Sequence, residues 1–184
     1  METGWLLPDL SDPTSSEFWL GCARGELLVQ ACDACGTWRM PPRPMCPRCR
    51  STDVRWEPTS GRGRVWSFIV AHPPLLPAFS AVAPYNAIVV ELDEAPTIRF
   101  VGNLVTAADG EINEIDPAGI RIGEPVRVVF HRIEDVTLPR WPRSCSALYT
   151  AFTSSRHGRC RPRPFRPGRQ RTERPGFHDA GGTG

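Results

Sequence analysis

The 184-residue chain has no lysine, and its 22 fixed positive side chains are all arginine. That absence reads as the mark of a GC-rich coding sequence and assigns no function. Also missing is any apolar run near the roughly 18 residues a membrane-crossing helix needs. The first ten residues carry Glu2 and Asp9 and no basic residue. They do not read as an export signal, so a reducing cytoplasm is the expected compartment. The H-x-E and P-C-x-x-C signature of zinc deaminases is absent: Met45 precedes Cys46, and no histidine lies upstream of it. No nucleophile triad, phosphate loop or pair of carboxylates can be assembled, so the chain alone offers no catalytic machinery. His72 and His131 stand isolated, His131 reading as a surface or rim residue, and Cys22 reads as helix packing.

Hydrophobic residues make up 40% and charged residues 23%, which excludes a disordered or fibrous chain as a whole. Charge is distributed unevenly. Residues 1–139 hold 12 Arg against 18 Asp and Glu, a net of −6, whereas residues 140–184 hold 10 Arg against two acids, a net of +8. The segment 142–184 is rich in Arg, Pro, Ser and Gly without periodicity, and is expected to be a disordered, dispensable basic tail.

Four of the cysteines carry the most specific pattern. Cys32-Asp33-Ala34-Cys35-Gly36 and Cys46-Pro47-Arg48-Cys49 are two C-x-x-C knuckles separated by ten residues. Two intervening residues let each knuckle aim both sulfurs at one ion, and Gly36 suits the positive φ that such a turn demands. Four thiolates close a tetrahedral site with no open position, the form of a structural zinc centre. The ligand types alone admit iron as well. The segment 26–59 is too short for a core of its own, so metal binding would supply the missing folding energy.

Around the knuckles, residues 1–25 hold a helix over 12–24, capped at Asp12–Ser16 and stopped by Gly25. Short strands are expected at Glu26–Gln30 and Val54–Glu57. From residue 60 to 141 the pattern is all-β. Strands are predicted at Arg64–Ala71, Tyr85–Leu92, Ile98–Val105, Val126–Arg132 and Val136–Leu138, separated by Gly, Pro and Asp turns. In the first, Val65 and Ile69 are expected on one face, with Trp66, Phe68 and Val70 on the other. Five short strands fit a closed OB-fold barrel. The expected fold is therefore mainly β: helix, zinc ribbon, barrel, tail.

Between His72 and Glu91 there is no Asp, Glu or Arg. The proline-rich stretch 73–84 either plugs the barrel or docks on a partner. In the second case Leu75, Leu76 and Phe79 are its anchors, with the Phe18–Trp19 helix as the alternative contact. Arg43, Arg48, Arg62 and Arg64 are candidates for contacts to an anionic ligand or an acidic partner.

Phe18-Trp19, Gly25-Glu26-Leu27, the two knuckles with Pro41-Pro42-Arg43 between them, Trp56, Ser60-Gly61-Arg62-Gly63, Glu91-Leu92-Asp93 and Ile122-Gly123-Glu124-Pro125-Val126 follow one another in a familiar order. In this, the segment from Ser15 to Trp141 resembles the DUF35 family, in which a rubredoxin-like zinc ribbon precedes an OB-fold. The resemblance implies a non-catalytic accessory subunit bound to a thiolase-like or lipid-transfer-protein-type enzyme of lipid or steroid CoA-thioester metabolism. Pro84-Tyr85-Asn86 and Val101-Gly102-Asn103 look most like members that accompany steroid or lipid thiolases. One departure is Arg50, which follows the second knuckle where a small residue is expected. A nucleic-acid-binding ribbon and barrel is the competing class, and the acidic body argues against it.

Overall fold

The structure, a computed structural model, describes residues 4–144. Of the tail expected to be disordered from residue 142, Pro142, Arg143 and Ser144 are instead bonded to the barrel. Arg143 pairs with Glu124, and the Ser144 amide with the Pro125 carbonyl. The rest, from position 145 on, lies outside the described residues. Helix α1 spans Ser16–Ala23. It starts later than the sequence suggests because Asp12 closes its own turn, accepting from the Thr14 amide at 3.0 Å and the Ser15 hydroxyl at 2.6 Å. Phe18 and Cys22 form its buried face.

The ribbon is a three-stranded antiparallel sheet of β1 (Leu28–Cys32), β2 (Trp38–Arg39) and β3 (Val54–Pro58), with β1 in the centre. Every residue of β1 is buried. The barrel follows. Strands β4 (Arg62–Ala71) and β5 (Tyr85–Leu92) pair along their length, β6 (Arg99–Gly102) joins β5, and β8 (Pro125–Arg127) joins β4. Strands β7 (Leu104–Val105), β9 (Val129–Ile133) and β10 (Val136–Pro142) form the second sheet. There β10 lies antiparallel to β9 and parallel to β7. Because β6 runs into β7 and β8 into β9, the two sheets close on each other as an OB-fold barrel.

Besides β10, which runs on to Pro142 where Leu138 was the expected end, three expectations about these strands change. Ile98–Val105 is two strands, because Asn103 leaves the β5 ladder and its carbonyl accepts from the Trp141 amide at 3.1 Å. Val126–Arg132 is also two, since the Val128 amide still bonds Gly61 at 2.7 Å before the chain turns to β10. The third change is on β4, where a bulge between Val65 and Ser67 adds a residue. The extra residue reverses the alternation, so Val65 and Phe68 face inward while Ile69, expected beside Val65, points to solvent at 65% exposure.

Ribbon and barrel share one core. Phe18, Cys22, Leu27 and Val29 belong to the same buried cluster as Val65, Ile88, Leu104 and Trp141. An aromatic series runs through it: Trp19 lies edge-on to Phe18, Phe18 stacks on Phe100, and Phe100 tilts toward Trp141. Helix α1 thus covers the barrel interior with its aromatic face.

Candidate metal centre and partner surface

The two knuckles are built alike. The amide of Gly36 bonds the Cys32 carbonyl at 2.8 Å, and the amide of Arg50 bonds the Cys46 carbonyl at 2.9 Å. The residue after each second cysteine has a left-handed backbone, φ 69° at Gly36 and 64° at Arg50. Glycine adopts it freely, whereas arginine there carries a Cβ penalty.

The four sulfurs of Cys32, Cys35, Cys46 and Cys49 lie within 4.8 Å of one another. Cys32 and Cys49 are 3.5 Å apart, and Cys35 and Cys46 are 3.6 Å apart. A tetrahedron of zinc–sulfur bonds of about 2.3 Å has edges of roughly 3.8 Å, so the donor set fits the ion. The Thr37 hydroxyl, 3.1 Å from Cys35 Sγ, and the Thr37 amide hold that thiol down at about 6. The amide of Cys49 lowers Cys46. The amide of Ser51 acts downward on Cys49 too, but its bonds to the Cys32 and Cys35 sulfurs push it up to about 12. Four thiolates this close repel one another, and a dication removes that repulsion. The chain holds one structural zinc ion here, and its closed ligand set leaves no position for substrate.

Two residues around the ribbon take structural roles that the sequence did not assign them. Arg55 on β3 donates to the Cys32 carbonyl at 3.2 Å and to Asp33 at 3.1 Å, tying the strand to the first knuckle. Arg39 is buried, and its Nε donates to Gln30 Oε1. Its Nη1 and Nη2 have no hydrogen-bond partner among the described residues. Its neighbours Trp38 and Met40 pack on the core, and that flanking pattern was the available signal.

The proposed contact residues separate. Phe18 is 2% exposed and stacked on Phe100, so its place is the core, and it offers a partner nothing. Trp19 is half-buried against it. In the uncharged loop, a one-turn helix α2 (Pro77–Ser80) forms. Leu75 and Phe79 are half-buried, with Trp5 edge-on to Phe79 at 4.7 Å, while Leu76 is 54% exposed. Arg43, Arg48, Arg62 and Arg64 are all exposed. Arg64 is engaged, 3.5 Å from Asp93 and donating to the Gly123 carbonyl. His131 is half-buried, lowered by desolvation and by Arg140.

A four-cysteine ribbon packed into an OB-fold barrel defines a small class of two-module proteins. Family models agree: residues 19–55 match the ChsH2 rubredoxin-like zinc ribbon domain, and residues 56–131 match the ChsH2 C-terminal OB-fold domain. The chain is 34% identical to a DUF35 domain-containing scaffold protein of Methanocaldococcus jannaschii over 111 residues, 59% of this chain and 70% of that protein. It belongs to the DUF35 family. It is 35% identical to the 3-oxo-4,17-pregnadiene-20-carboxyl-CoA hydratase alpha subunit of Mycobacterium tuberculosis, over 74% of this chain and 41% of that one. It is 41% identical to the "Probable enoyl-CoA hydratase alpha subunit" of Thermomonospora curvata, over 66% of this chain and 35% of that one. The chain thus spans about two fifths or less of these two hydratase subunits. Among solved structures, it matches a chain of the Ltp2-ChsH2(DUF35) aldolase with a TM-score of 0.62 and 35% identity, covering 74% of this chain and 98% of that one. Among the described residues, no helix is long and apolar enough to cross a membrane.

Proposed function

We propose that this chain is a non-catalytic scaffold subunit of a thiolase-like CoA-thioester enzyme in lipid or steroid side-chain metabolism, working in a reducing cytoplasm. The observation that carries the reading is the likeness, over 74% of this chain and 98% of that one, to a chain of an aldolase named for two components. The site chemistry agrees with it: the metal is fully ligated by protein sulfur, which leaves it no position for substrate. The exposed side chain of Leu76, supported by Phe79 on Trp5, belongs to the partner contact. Arg43, Arg48 and Arg62, which make no ion pair among the described residues, are the arginines free to meet CoA phosphates or partner carboxylates.

The test is affinity capture from the native host with the tagged chain, followed by identification of bound proteins and assay with acyl-CoA thioesters. A thiolase-fold or hydratase-fold CoA enzyme should be retained in defined stoichiometry, with turnover in the complex and none in the isolated chain. Turnover by the isolated chain, or the absence of any CoA enzyme from the captured material, would overturn the reading.

A further inference from the structure

On an antiparallel sheet with one face in the core, the other normally carries polar residues. The outer face of β6-β5-β4-β8 follows that rule at one end only. Val101 on β6 stands opposite Val89 on β5, and Ile69 on β4 lies diagonal to Val89. Val101 is 72% exposed and Ile69 65%. The bulge in β4 is what turns Ile69 outward and leaves Trp66 46% exposed beside it. Farther along the same face the character becomes basic. Arg99 lies over the Trp66 ring, 3.9 Å from its centroid. Arg62 and Arg127 stand directly opposite each other on β4 and β8, an arrangement that repels. Neither makes a side-chain hydrogen bond or ion pair among the described residues, although Arg64 between them in sequence finds Asp93.

The acids on this face sit elsewhere in its ladder: Glu91 on β5 stands opposite Arg64 and Arg99, and Asp93 pairs with Arg64. Like charges placed face to face and left unpaired, next to exposed β-branched residues and a tryptophan, oppose the stability of the isolated chain. Such violations concentrate at functional surfaces. Charge complementarity decides the occupant: it must be apolar where it meets Ile69, Val89 and Val101, and must bring carboxylates to Arg62 and Arg127.

We infer that the outer face of this sheet, from Val101 and Ile69 to the Arg62–Arg127 pair, is a protein-docking surface for an apolar patch edged with acidic residues on the CoA-enzyme subunit. This inference rests on the scaffold reading and assigns it a face of the barrel. The basic end speeds and orients encounter, and the apolar end supplies the buried contact.

The experiment titrates the captured CoA enzyme against the full chain and two double variants at low and high salt. Ile69→Glu with Val101→Glu should weaken binding at least tenfold at both salt concentrations. Arg62→Glu with Arg127→Glu should weaken it mainly at low salt and flatten the salt dependence. Both variants should keep one zinc per chain and the circular dichroism of the parent, because the substituted side chains lie outside the core. If both bind within twofold of the parent while the parent still captures the enzyme, this face is free: the inference falls and the scaffold reading stands. If the parent captures no CoA enzyme, both fall. Sedimentation showing a homodimer broken by the same substitutions would assign the face to a second copy and overturn the inference. Binding of a single-stranded oligonucleotide lost in the same variants would assign it to nucleic acid and overturn it likewise.

Discussion

At the scale of single residues, the buried polar groups hold the tightest constraints. Asn86 is fully buried, yet each end of its amide is used: Nδ2 donates to Leu104 and Ile112 carbonyls at 3.0 and 3.2 Å, and Oδ1 accepts from the Leu104 amide at 2.7 Å. It stitches β5 to β7 and to the loop beyond. Asn86→Ala leaves those backbone groups unpaired inside the protein and should lower stability by about 2–4 kcal/mol, read from chemical denaturation. Arg50 carries the opposite opportunity. Its φ matches that of Gly36 in the sister knuckle, so Arg50→Gly should raise the zinc-loaded melting temperature slightly, the relieved Cβ penalty of about 1 kcal/mol being partly offset by a more flexible unfolded chain. Cys22 supplies a pH dependence. Burial pushes its thiol from an ordinary 9.0 up to about 12. The folded state therefore keeps the proton where the unfolded chain releases it. This contribution is complete below pH 9 and is lost as pH rises toward 12, with a limiting slope of about 1.4 kcal/mol per pH unit. Cys22→Ala should show a shallower alkaline loss of stability than the parent.

At the scale of elements, the strand breaks and the bulge show how local pattern yields to barrel closure. Gly102 ends β6 where the Trp141 indole of β10 comes closest: a Cβ there would sit 2.8 Å from two indole atoms. Trp141 is fully buried and cannot step aside. Gly102→Ala should therefore destabilise the barrel by about 1–3 kcal/mol through overpacking, seen as a lower midpoint in denaturant with the zinc content unchanged. The knuckles, the apolar face of α1, the span of β5 and the turn positions were legible in the sequence, because each depends on residues close together in the chain. The bulge was not. Trp66 and Ile69 have the composition of inward residues, and only the pairing of β4 with two neighbours determines which of them the extra residue sends out. For the same reason β10 runs beyond Leu138: Pro139 and Pro142 read as breakers, yet Trp141 is paired to the parallel partner β7, and Arg140, paired to β9, donates to the Ala108 and Gly110 carbonyls.

At the scale of the whole molecule, the shared core makes the metal a property of the entire fold. A separate ribbon would unfold alone on metal loss. With Leu27 and Val29 in one cluster with Ile88 and Trp141, chelation, or Cys46→Ser, should lower the melting temperature of the barrel signal along with that of the ribbon. A single transition in calorimetry of the zinc-loaded chain is the matching expectation. Two well-separated transitions would show the core to be divided. What the sequence determined by itself was the chemistry that spacing specifies: four thiolates at one ion, a short helix ended before Gly25, the positions of the strands and a loop without charge. Those features need only short-range geometry, and the four cysteines came together as their spacing required. What only the tertiary structure decided was exposure. Phe18 and Trp66 are both large aromatics beside a predicted apolar stripe, yet one fills the barrel while the other lies at its surface under Arg99. Which side chains meet solvent depends on how two sheets close and where a helix covers them, and that is a property of contacts between residues far apart in the chain.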